Sequence, residues 1–437
     1  MILKITKTHI GLARESLLNP FGFKGKYINE LWHTAVKIED DCGIYGTGIG
    51  VQSVLWSDPE IFNRFGPCGG NALMMTLTCK ALEIAKDLDW NTPLDLLDAV
   101  LPRLAAAAKG ICPENMRLTF LLNALVPLDN AAWIFYSRKK NIDSFDRLLP
   151  SSFRSALTEK QNALAVVPLL TYNVSREEIH KLARAGHSMF KIKIGSDPEK
   201  NGSCEAMLEW DKKRISEIHE ILSDYTTPYT ATGKIAWYLD ANGRYDNKER
   251  LMKLLDHADR LGILSRILLL EEPFAEDNHV NVHDLPVRIA ADESAHSDTD
   301  AARRVQEGYG AIAVKAVAKT LSMSLKVIRA VCEKNIPCFC ADLTVPPVLL
   351  EWNRNLACRL AALPGMKCGI LESNGAQNYG SWEAMLVRHP AAGAAWLTPA
   401  AGVFNLDEQY YKMSGGLFLD SSYYLQLACD GFICRSN

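Results

Sequence analysis

Short apolar runs alternate with amphipathic stretches over the last two thirds of the chain, and this alternation predicts repeated strand–helix units. Eight such units in little more than two hundred residues, without a Gly-rich nucleotide loop after the first strand, favour a closed (β/α)8 barrel over an open sheet. The predicted strands cover 166–172, 189–195, 236–240, 267–271, 287–292, 311–317, 337–342 and 367–372. The predicted helices between them include 176–185, 248–261, 300–307, 321–334 and 349–363.

The first 150 residues follow a different pattern. Two β-rich runs between residues 31 and 51, joined by the turn-forming Asp40-Asp41-Cys42-Gly43, predict a hairpin. Helical periodicity follows, in segments that the sequence places at 71–88, 93–107 and 117–138. We therefore predict an α+β capping domain over 1–150, a (β/α)8 barrel over 151–390, and a C-terminal segment, 391–437, that packs on the cap.

Composition narrows the class of partner. A chain of 437 residues with 48% hydrophobic residues can bury a large core. Its net charge of -3 provides no positive electrostatic potential to attract nucleic acid or an anionic membrane. The chain start lacks a secretory signal, and no run of eighteen apolar residues occurs. The twelve cysteines are scattered, without paired C-x-x-C units. We expect a cytoplasmic protein whose partner is a small molecule.

Charged side chains end several of the predicted strands, which in a barrel of this kind places them on the face that carries active sites. One such carboxylate is commonly only the N-cap of the next helix, and two lysines alone are more often solvated charges. Three carboxylates on consecutive strands, however, can converge as hard oxygen ligands for a divalent cation. The residues are Lys191 and Lys193 on strand two, Asp240, Glu271 and Asp292 on strands three to five, and Lys315 on strand six.

The lysine positions indicate proton transfer. Lys191 and Lys193 point the same way, and each makes protonation of the other more costly, so one of them can be a neutral amine near physiological pH. Strands two and six lie opposite each other in an eight-stranded barrel, so Lys193 and Lys315 should face each other across its mouth. A substrate between them could lose a proton from one face and regain it on the other. The α-proton of a carboxylate is acidic enough only if a metal stabilises the enediolate.

These residues resemble the enolase superfamily, specifically its mandelate racemase and muconate lactonizing enzyme family. The resemblance rests on K-I-K at 191–193, D-A-N at 240–242, E-E-P at 271–273, A-D-E-S at 291–294, Lys315, and D-N-A-A-W at 129–133 in the cap. It implies a modified, enolase-like barrel with its cap, and a Mg2+ cofactor for which Mn2+ can substitute. The roles it implies are bases for Lys193 and Lys315, a pKa-lowering neighbour for Lys191, and metal ligands for Asp240, Glu271 and Asp292. The resemblance selects Glu271 over Glu272, which strand alternation leaves open.

Further assignments concern residues near the strand ends. By the same resemblance, Asn242 would support the metal site and Glu293 would point towards the base on strand six. Asp342 and Glu372 end strands seven and eight, and either could contact substrate, cap a helix or support the site from behind. Segment 14–26, with Phe21, Phe23 and Lys24, is either a loop that closes over the site or ordinary packing of the cap.

The subgroup and the substrate are less well defined. A lysine pair on strands two and six resembles the muconate lactonizing subgroup, since no histidine lies near 338–342, where the mandelate racemase subgroup uses one. The glycine pair that many relatives have after the strand-six lysine is replaced by Ala316-Val317-Ala318-Lys319. The eighth strand ends Glu372-Ser373-Asn374, without the Asp-x-Asp pair of dipeptide epimerases.

The expected function is Mg2+-dependent removal of the proton α to a substrate carboxylate, in a racemase or epimerase of an amino-acid-like or other small carboxylate. The alternative is a lyase, by a dehydratase-like or o-succinylbenzoate synthase-like β-elimination, or a cycloisomerase that uses the same enolate chemistry. A Schiff-base aldolase acting through Lys315 and a catalytically silent homologue remain as other classes. We expect a homo-oligomer that binds neither nucleic acid nor membrane.

Overall fold

The computed structural model describes residues 2–23 and 26–431. Its N-terminal part is a three-stranded antiparallel sheet, in the order β2-β3-β4, covered by helices. β2 and β3 form a long hairpin, and the predicted turn at 40–43 joins β3 to β4. The strands are β1 (Leu3–Lys4), β2 (Lys7–Phe23), β3 (Lys26–Glu39), β4 (Tyr45–Gln52) and β5 (Asp89–Trp90). The helices are α1 (Val54–Ser57), α2 (Pro59–Lys86), α3 (Pro93–Ala108), α4 (Leu118–Lys140), α5 (Phe145–Leu148) and α6 (Ser151–Arg154).

The helix boundaries follow local capping chemistry. The Asp58 carboxylate accepts hydrogen bonds from the first free backbone N–H groups of α2, and Pro59 provides a φ angle that suits a first helical residue. Thr92 and Asp95 form a reciprocal capping box at the start of α3. α4 is long and apolar enough to span a membrane by length and composition alone, but 94% of its most apolar window is buried inside the protein, as in the core helix of a soluble domain.

The second part is the expected parallel barrel, and the prediction of the fold class is confirmed. Eight consecutive strand positions pair in sequence order around a curled sheet. The first position is split at Pro168, which lacks a backbone N–H: the segment before it pairs with the last strand, and the segment after it pairs with the second, so the sheet closes on itself. The strands are β6 (Ala163–Val167), β7 (Leu169–Leu170), β8 (Met189–Lys193), β9 (Ala236–Asp240), β10 (Ile267–Glu271), β11 (Ile289–Ala291), β12 (Ala311–Val314), β13 (Cys338–Cys340) and β14 (Gly369–Glu372).

The interior of the barrel is a packed apolar cluster, and its composition follows from the two-residue period of a strand. Tyr238, Leu269 and Ala290 belong to this cluster. The residues two positions further along each strand share the inward face and therefore lie above the cluster, at the carboxyl-terminal rim. These are the acidic residues Asp240, Glu271 and Asp292, and the same step leads from Met189 to Lys191, from Ala313 to Lys315 and from Ile370 to Glu372.

Helices surround the barrel, and the C-terminal tail joins both parts of the molecule. In the tail, β15 adds antiparallel to β6, while α17 packs against β2 and β3 of the cap. The helices are α7 (Arg176–Arg184), α8 (Cys204–Leu222), α9 (Lys248–Arg260), α10 (Asp298–Gln306), α11 (Ala316–Lys319), α12 (Leu321–Cys332), α13 (Pro347–Ala357), α14 (Gly375–Asn378), α15 (Trp382–Val387), α16 (Glu408–Met413) and α17 (Ser422–Asp430), and the tail strand β15 is Val403–Asn405.

Two features differ from the sequence-based expectation. The strand predicted over 311–317 ends at Val314, because Ala316 already begins the helical turn α11. The first hairpin strand, β2, was not predicted at all, since Pro20 and Gly22 within it are typical of loops. Both differences alter the surroundings of the barrel mouth.

Candidate active site

A cavity with about 540 Å³ of empty space, open solvent included, lies at the carboxyl-terminal rim of the barrel, beneath the cap. Barrel residues form its polar floor, and cap residues form an apolar wall. The cap contributes Phe21, Ile28, Leu31, Ser53 and Trp56. Every site residue predicted from sequence lines this one cavity: Lys191, Lys193, Asp240, Asn242, Glu271, Asp292, Glu293, Lys315, Asp342 and Glu372.

Lys191 is buried among carboxylates. Its Nζ lies 3.0 Å from Asp240 Oδ2 and 3.2 Å from both Glu271 Oε1 and Glu372 Oε2, and 4.7 Å above the centre of the Tyr238 ring. Burial alone would lower the pKa of this amine, but the surrounding carboxylates raise its pKa well above the ordinary value. The lysine pair left open which of the two amines is neutral, and the three acids that contact Lys191 favour its charged form in this structure.

Lys193 lies nearer the cavity mouth, with 12% of its side chain exposed. Its Nζ donates hydrogen bonds of 2.6 Å to Asp240 Oδ2 and to Asn242 Oδ1. Asn242 has a positive φ of 46°, in the left-handed region that asparagine tolerates better than most residues, and its amide also donates to Glu293 Oε1. Asn242 thus connects the strand-two amine to the loop after strand five.

Lys315 is held between the barrel and the cap. Its ammonium contacts Asp292 Oδ2 and lies 4.6 Å from the centre of the Trp56 ring. Burial opposes its charge, but the Asp292 carboxylate outweighs this effect and raises the pKa of Lys315. Lys193 and Lys315 therefore reach one cavity from the second and sixth strands, each in contact with a different carboxylate.

The acidic residues form a suitable donor set for a divalent cation. Carboxylate oxygens of Glu271, Asp292 and Glu293 lie within 4.8 Å of one another, and all three residues are buried. Burial raises the pKa of Glu271 to about 8, and its acidic neighbours add to this effect while Lys191 opposes it. A cation with a preference for hard oxygen ligands would relieve that repulsion, so these residues fit Mg2+ or Mn2+.

Asp240 stands slightly apart from this group. Burial raises its pKa, but the adjacent Lys191 and Lys193 amines dominate and lower it to about 2. Asp240 is thus a charged carboxylate in the same cavity that is held by two lysines, whereas the sequence pattern placed it with Glu271 and Asp292 as one ligand set.

Glu271 and Glu272 have different surroundings, which strand alternation alone could not assign. Glu271 lines the cavity, whereas Glu272 Oε1 accepts hydrogen bonds from Asp292 N, Ser294 N and Ser294 Oγ at 2.6 to 2.8 Å. Glu272 therefore supports the loop that carries Asp292 from behind.

Lys319 is a buried cation that the sequence analysis did not single out. Its Nζ donates to Asp292 Oδ1 at 3.2 Å, to the Asp292 carbonyl at 2.6 Å and to the Ala295 carbonyl at 3.1 Å. It lies four residues after Lys315, one turn further along α11, so both amines reach Asp292 from the same side. The departure from the glycine pair after Lys315 was the signal that could have revealed it.

The last two strands contribute a second polar group. Asp342 accepts hydrogen bonds from the backbone N–H groups of Leu343 and Asn374, both at 2.7 Å. Burial raises the pKa of Asp342 to about 7, and the nearby Glu372 adds to the effect. Asp342 therefore ties the ends of strands seven and eight together, while Glu372 contacts Lys191.

The hairpin of β2 and β3 brings part of segment 14–26 to the site, where Phe21 lines the cavity. Lys24 lies outside the described residues, as does the side chain of Phe23. The segment therefore reaches this cavity from the cap side through Phe21.

Comparison with known proteins identifies this architecture. Residues 175–392, about half of the chain, match a family model described as enolase C-terminal domain-like. The chain belongs to the mandelate racemase and muconate lactonizing enzyme family of the enolase superfamily. The structure is similar to a mandelate racemase/muconate lactonizing protein from Herpetosiphon aurantiacus, at 16% identity and a TM-score of 0.64, over 92% of this chain and 96% of that one.

Two further solved structures that are similar to this chain carry named activities. A dipeptide epimerase from Enterococcus faecalis V583, complexed with Mg and the dipeptide L-Leu-L-Tyr, aligns over 92% of this chain and 100% of its own, with a TM-score of 0.62. An N-succinyl Arg/Lys racemase from Bacillus cereus aligns over 86% of this chain and 89% of its own, with a TM-score of 0.60. Both are 16% identical to this chain, a level at which the likeness shows the shared fold. The curated proteins contain no match to it.

Proposed function

We propose that this protein is a Mg2+-dependent enzyme that removes the proton α to the carboxylate of a small substrate, and that it acts as a racemase or epimerase. The observation that carries the proposal is the placement of two amines, Lys193 and Lys315, in the same cavity as the buried carboxylates of Glu271, Asp292 and Glu293. The amines come from opposite strands of the barrel, so a substrate between them offers each amine a different face.

The metal would be held by Glu271 and Asp292 with Asp240 or Glu293, and it would stabilise negative charge on the substrate carboxylate as the α-proton leaves. Lys193 would remove the proton from one face and Lys315 would deliver one to the other. Lys191 would add a fixed positive charge beside the carboxylate. The apolar wall of the cap would exclude water from the reacting atoms.

A lyase or cycloisomerase is the second candidate, and the position of Lys315 supports it. The Lys315 ammonium lies between the Asp292 carboxylate and the face of Trp56, surroundings that favour its charged form. If Lys315 served only as a cation, Lys193 would be the single base, and the enolate could then collapse by elimination or ring closure.

Isotope exchange distinguishes these candidates. The protein would be incubated with Mg2+ in deuterated water with both enantiomers of amino-acid, N-acyl-amino-acid, dipeptide and sugar-acid carboxylates, and deuterium at the α-carbon would be measured by mass spectrometry. For a racemase, both enantiomers exchange, Lys193→Ala abolishes exchange from one and Lys315→Ala from the other. Lys253→Ala, a change at an exposed lysine on α9, is the matched control.

Other outcomes assign the site differently. Exchange from one enantiomer together with an unsaturated or cyclised product supports the second candidate. Full activity in chelator with borohydride trapping on Lys315 indicates an aldolase. Mg2+ binding without exchange across the whole panel would reject the proposal and indicate a catalytically silent homologue. We propose that the substrate partner is a small carboxylate, and that the protein is a cytoplasmic homo-oligomer.

A further inference from the structure

The loop that follows β11, residues 292–295, carries two acidic residues of the site and is held from both sides by the buried polar side chains of Glu272 and Lys319. Glu272 accepts hydrogen bonds from its backbone N–H groups and from Ser294 Oγ. On the opposite side, Lys319 donates to the carbonyl oxygens of Asp292 and Ala295. A carboxylate that binds the N–H groups and an ammonium that binds the carbonyl groups together fix both polar edges of the loop.

The two oxygens of Asp292 are also divided between different lysines. Lys319 contacts Oδ1 at 3.2 Å, and Lys315 contacts Oδ2. Lys319 is only 2% exposed, and its further contacts with the two carbonyl groups keep its amine on Oδ1. Oδ2 is the oxygen that Lys315, a residue of the cavity lining, contacts, so Oδ2 is the Asp292 oxygen on the cavity side.

We propose that Lys319 is a positioning residue that holds the Asp292 loop, so that Asp292 presents Oδ2 to the divalent cation. The inference rests on the proposed function, in which Asp292 is a metal ligand. It extends that function to a residue outside the cavity lining, delivered by the helical turn α11 that takes the place of the glycine pair.

Two physical effects of Lys319 on metal binding have opposite signs, which makes the role testable. As a positive charge beside a ligand, Lys319 repels the cation, and its removal by this effect alone would tighten metal binding. Through its hydrogen bonds to the loop, Lys319 also keeps Asp292 in position, and removal of these bonds would weaken metal binding. The loss of residues that orient metal ligands typically costs 10- to 100-fold in affinity.

The experiment is titration calorimetry of the metal-free full-length protein with Mn2+ and with Mg2+. For Lys319→Met we expect an affinity at least tenfold weaker than that of the wild type, and for Lys319→Arg, which keeps the charge and several donors, an affinity within threefold. Lys253→Met controls for the loss of a lysine. Thermal unfolding of each metal-free variant establishes that the folded fraction is the same.

The possible results are separable. Failure of the wild type to bind either ion would refute the proposed metal chemistry before Lys319 is considered. Wild-type binding with unchanged or tighter binding by Lys319→Met would overturn the positioning role alone. If Lys319→Met does not fold, Lys319→Gln decides, because it removes the ammonium that contacts Asp292 and Ala295 but keeps a polar side chain at this buried position. A loss of threefold or more in its metal affinity supports the inference, and an unchanged affinity overturns it.

Discussion

The Lys315 ammonium lies 4.6 Å from the centre of the Trp56 ring, so a side chain of the cap directly contacts the proposed base of the sixth barrel strand. Trp56 belongs to the short helix α1 and lines the same cavity as Lys315. A cation over a desolvated aromatic face gains about 1 to 2 kcal/mol. The cap therefore contributes to the electrostatics of the site as well as to its enclosure.

We expect Trp56→Leu to lower the rate of α-hydrogen exchange by about 5- to 30-fold, the range that a loss of about 1 to 2 kcal/mol predicts. The effect should fall mainly on the enantiomer whose exchange depends on Lys315. Trp56→Phe keeps a ring and should retain most of the rate. Equal losses for both enantiomers would show that Trp56 acts only by closing the cavity.

If the proposed function holds, Mg2+ should stabilise the protein against heat, because the ion would bind only the folded arrangement of Glu271, Asp292 and Glu293. At a concentration 100 times the Kd, the gain in the free energy of unfolding is about 2.7 kcal/mol, which scanning calorimetry would detect as a rise in Tm. Glu271→Gln and Asp292→Asn should lose this rise.

A second acidic group in the described residues provides the control for Mg2+ stabilisation. Asp40, which is buried, lies with the exposed Asp41 and Cys42 between β3 and β4. Asp41→Asn should leave the Mg2+-induced rise in Tm intact. A rise that disappears in this variant would place the stabilising ion at the turn and not at the barrel mouth.

His33 should make stability depend on pH. It is fully buried in β3, where burial lowers its pKa to about 4, with Glu15 partly opposing the effect. Between pH 4 and 6.5 the unfolded chain therefore takes up a proton that the folded chain does not, so the contribution of His33 is complete above pH 6.5 and is lost as the pH falls towards 4. The difference corresponds to at most about 3 kcal/mol.

The measurement for His33 is the free energy of urea unfolding at pH 4.5, 5.5 and 7. The advantage of the wild type over His33→Gln should shrink as the pH falls, because glutamine cannot take up the proton. His283→Gln, at an exposed histidine, is the control and should show no such trend. An advantage that is constant with pH would mean that His33 is already protonated in the folded state or remains neutral in the unfolded state.

Ser322 should be important for holding the cap to the barrel. It lies at the start of α12 and donates to Asp129 Oδ1 of α4 at 2.5 Å, while Trp133 Nε1 donates to its hydroxyl at 3.0 Å. Ser322→Ala leaves both cap groups buried without this partner, so we expect a loss of about 1 to 3 kcal/mol in the free energy of unfolding. Ser216→Ala, at a partly buried helix position away from the site, should cost less. Equal losses would contradict a special role of the α4 contact.

The sequence predicted the barrel and the rim residues because both depend on strand periodicity. Once Leu269 points inward, Glu271 must share its face, and a parallel strand order places that face at the same rim as the neighbouring strands. The same periodicity makes the opposed placement of Lys193 and Lys315 a matter of counting strands. Strand periodicity does not show whether Glu271 or Glu272 points into the site. The motifs of the family select Glu271.

What the sequence did not show depends on contacts between distant segments. Lys319 was missed because the small apolar residues on both sides of Lys315 give no periodic signal for the change from strand to helical turn after Val314. The raised pKa of Lys191 was missed because it depends on direct contacts of this amine with Asp240, Glu271 and Glu372, and strand periodicity places these acids at the same rim without showing that one amine contacts all three. The contact of Trp56 with Lys315 likewise requires the docked cap.

The interruption at Pro168 makes the end of the chain part of the barrel's seam. Ahead of that proline, β6 has β14 on one side and β15 of the tail on the other, with Ala163 opposite Asn405 and Ala165 opposite Val403. A chain shortened before Val403 would leave those backbone groups as an open strand edge, of the kind that recruits strands from other molecules. Truncated forms should therefore self-associate through this edge of β6, even though every residue that lines the cavity is still present.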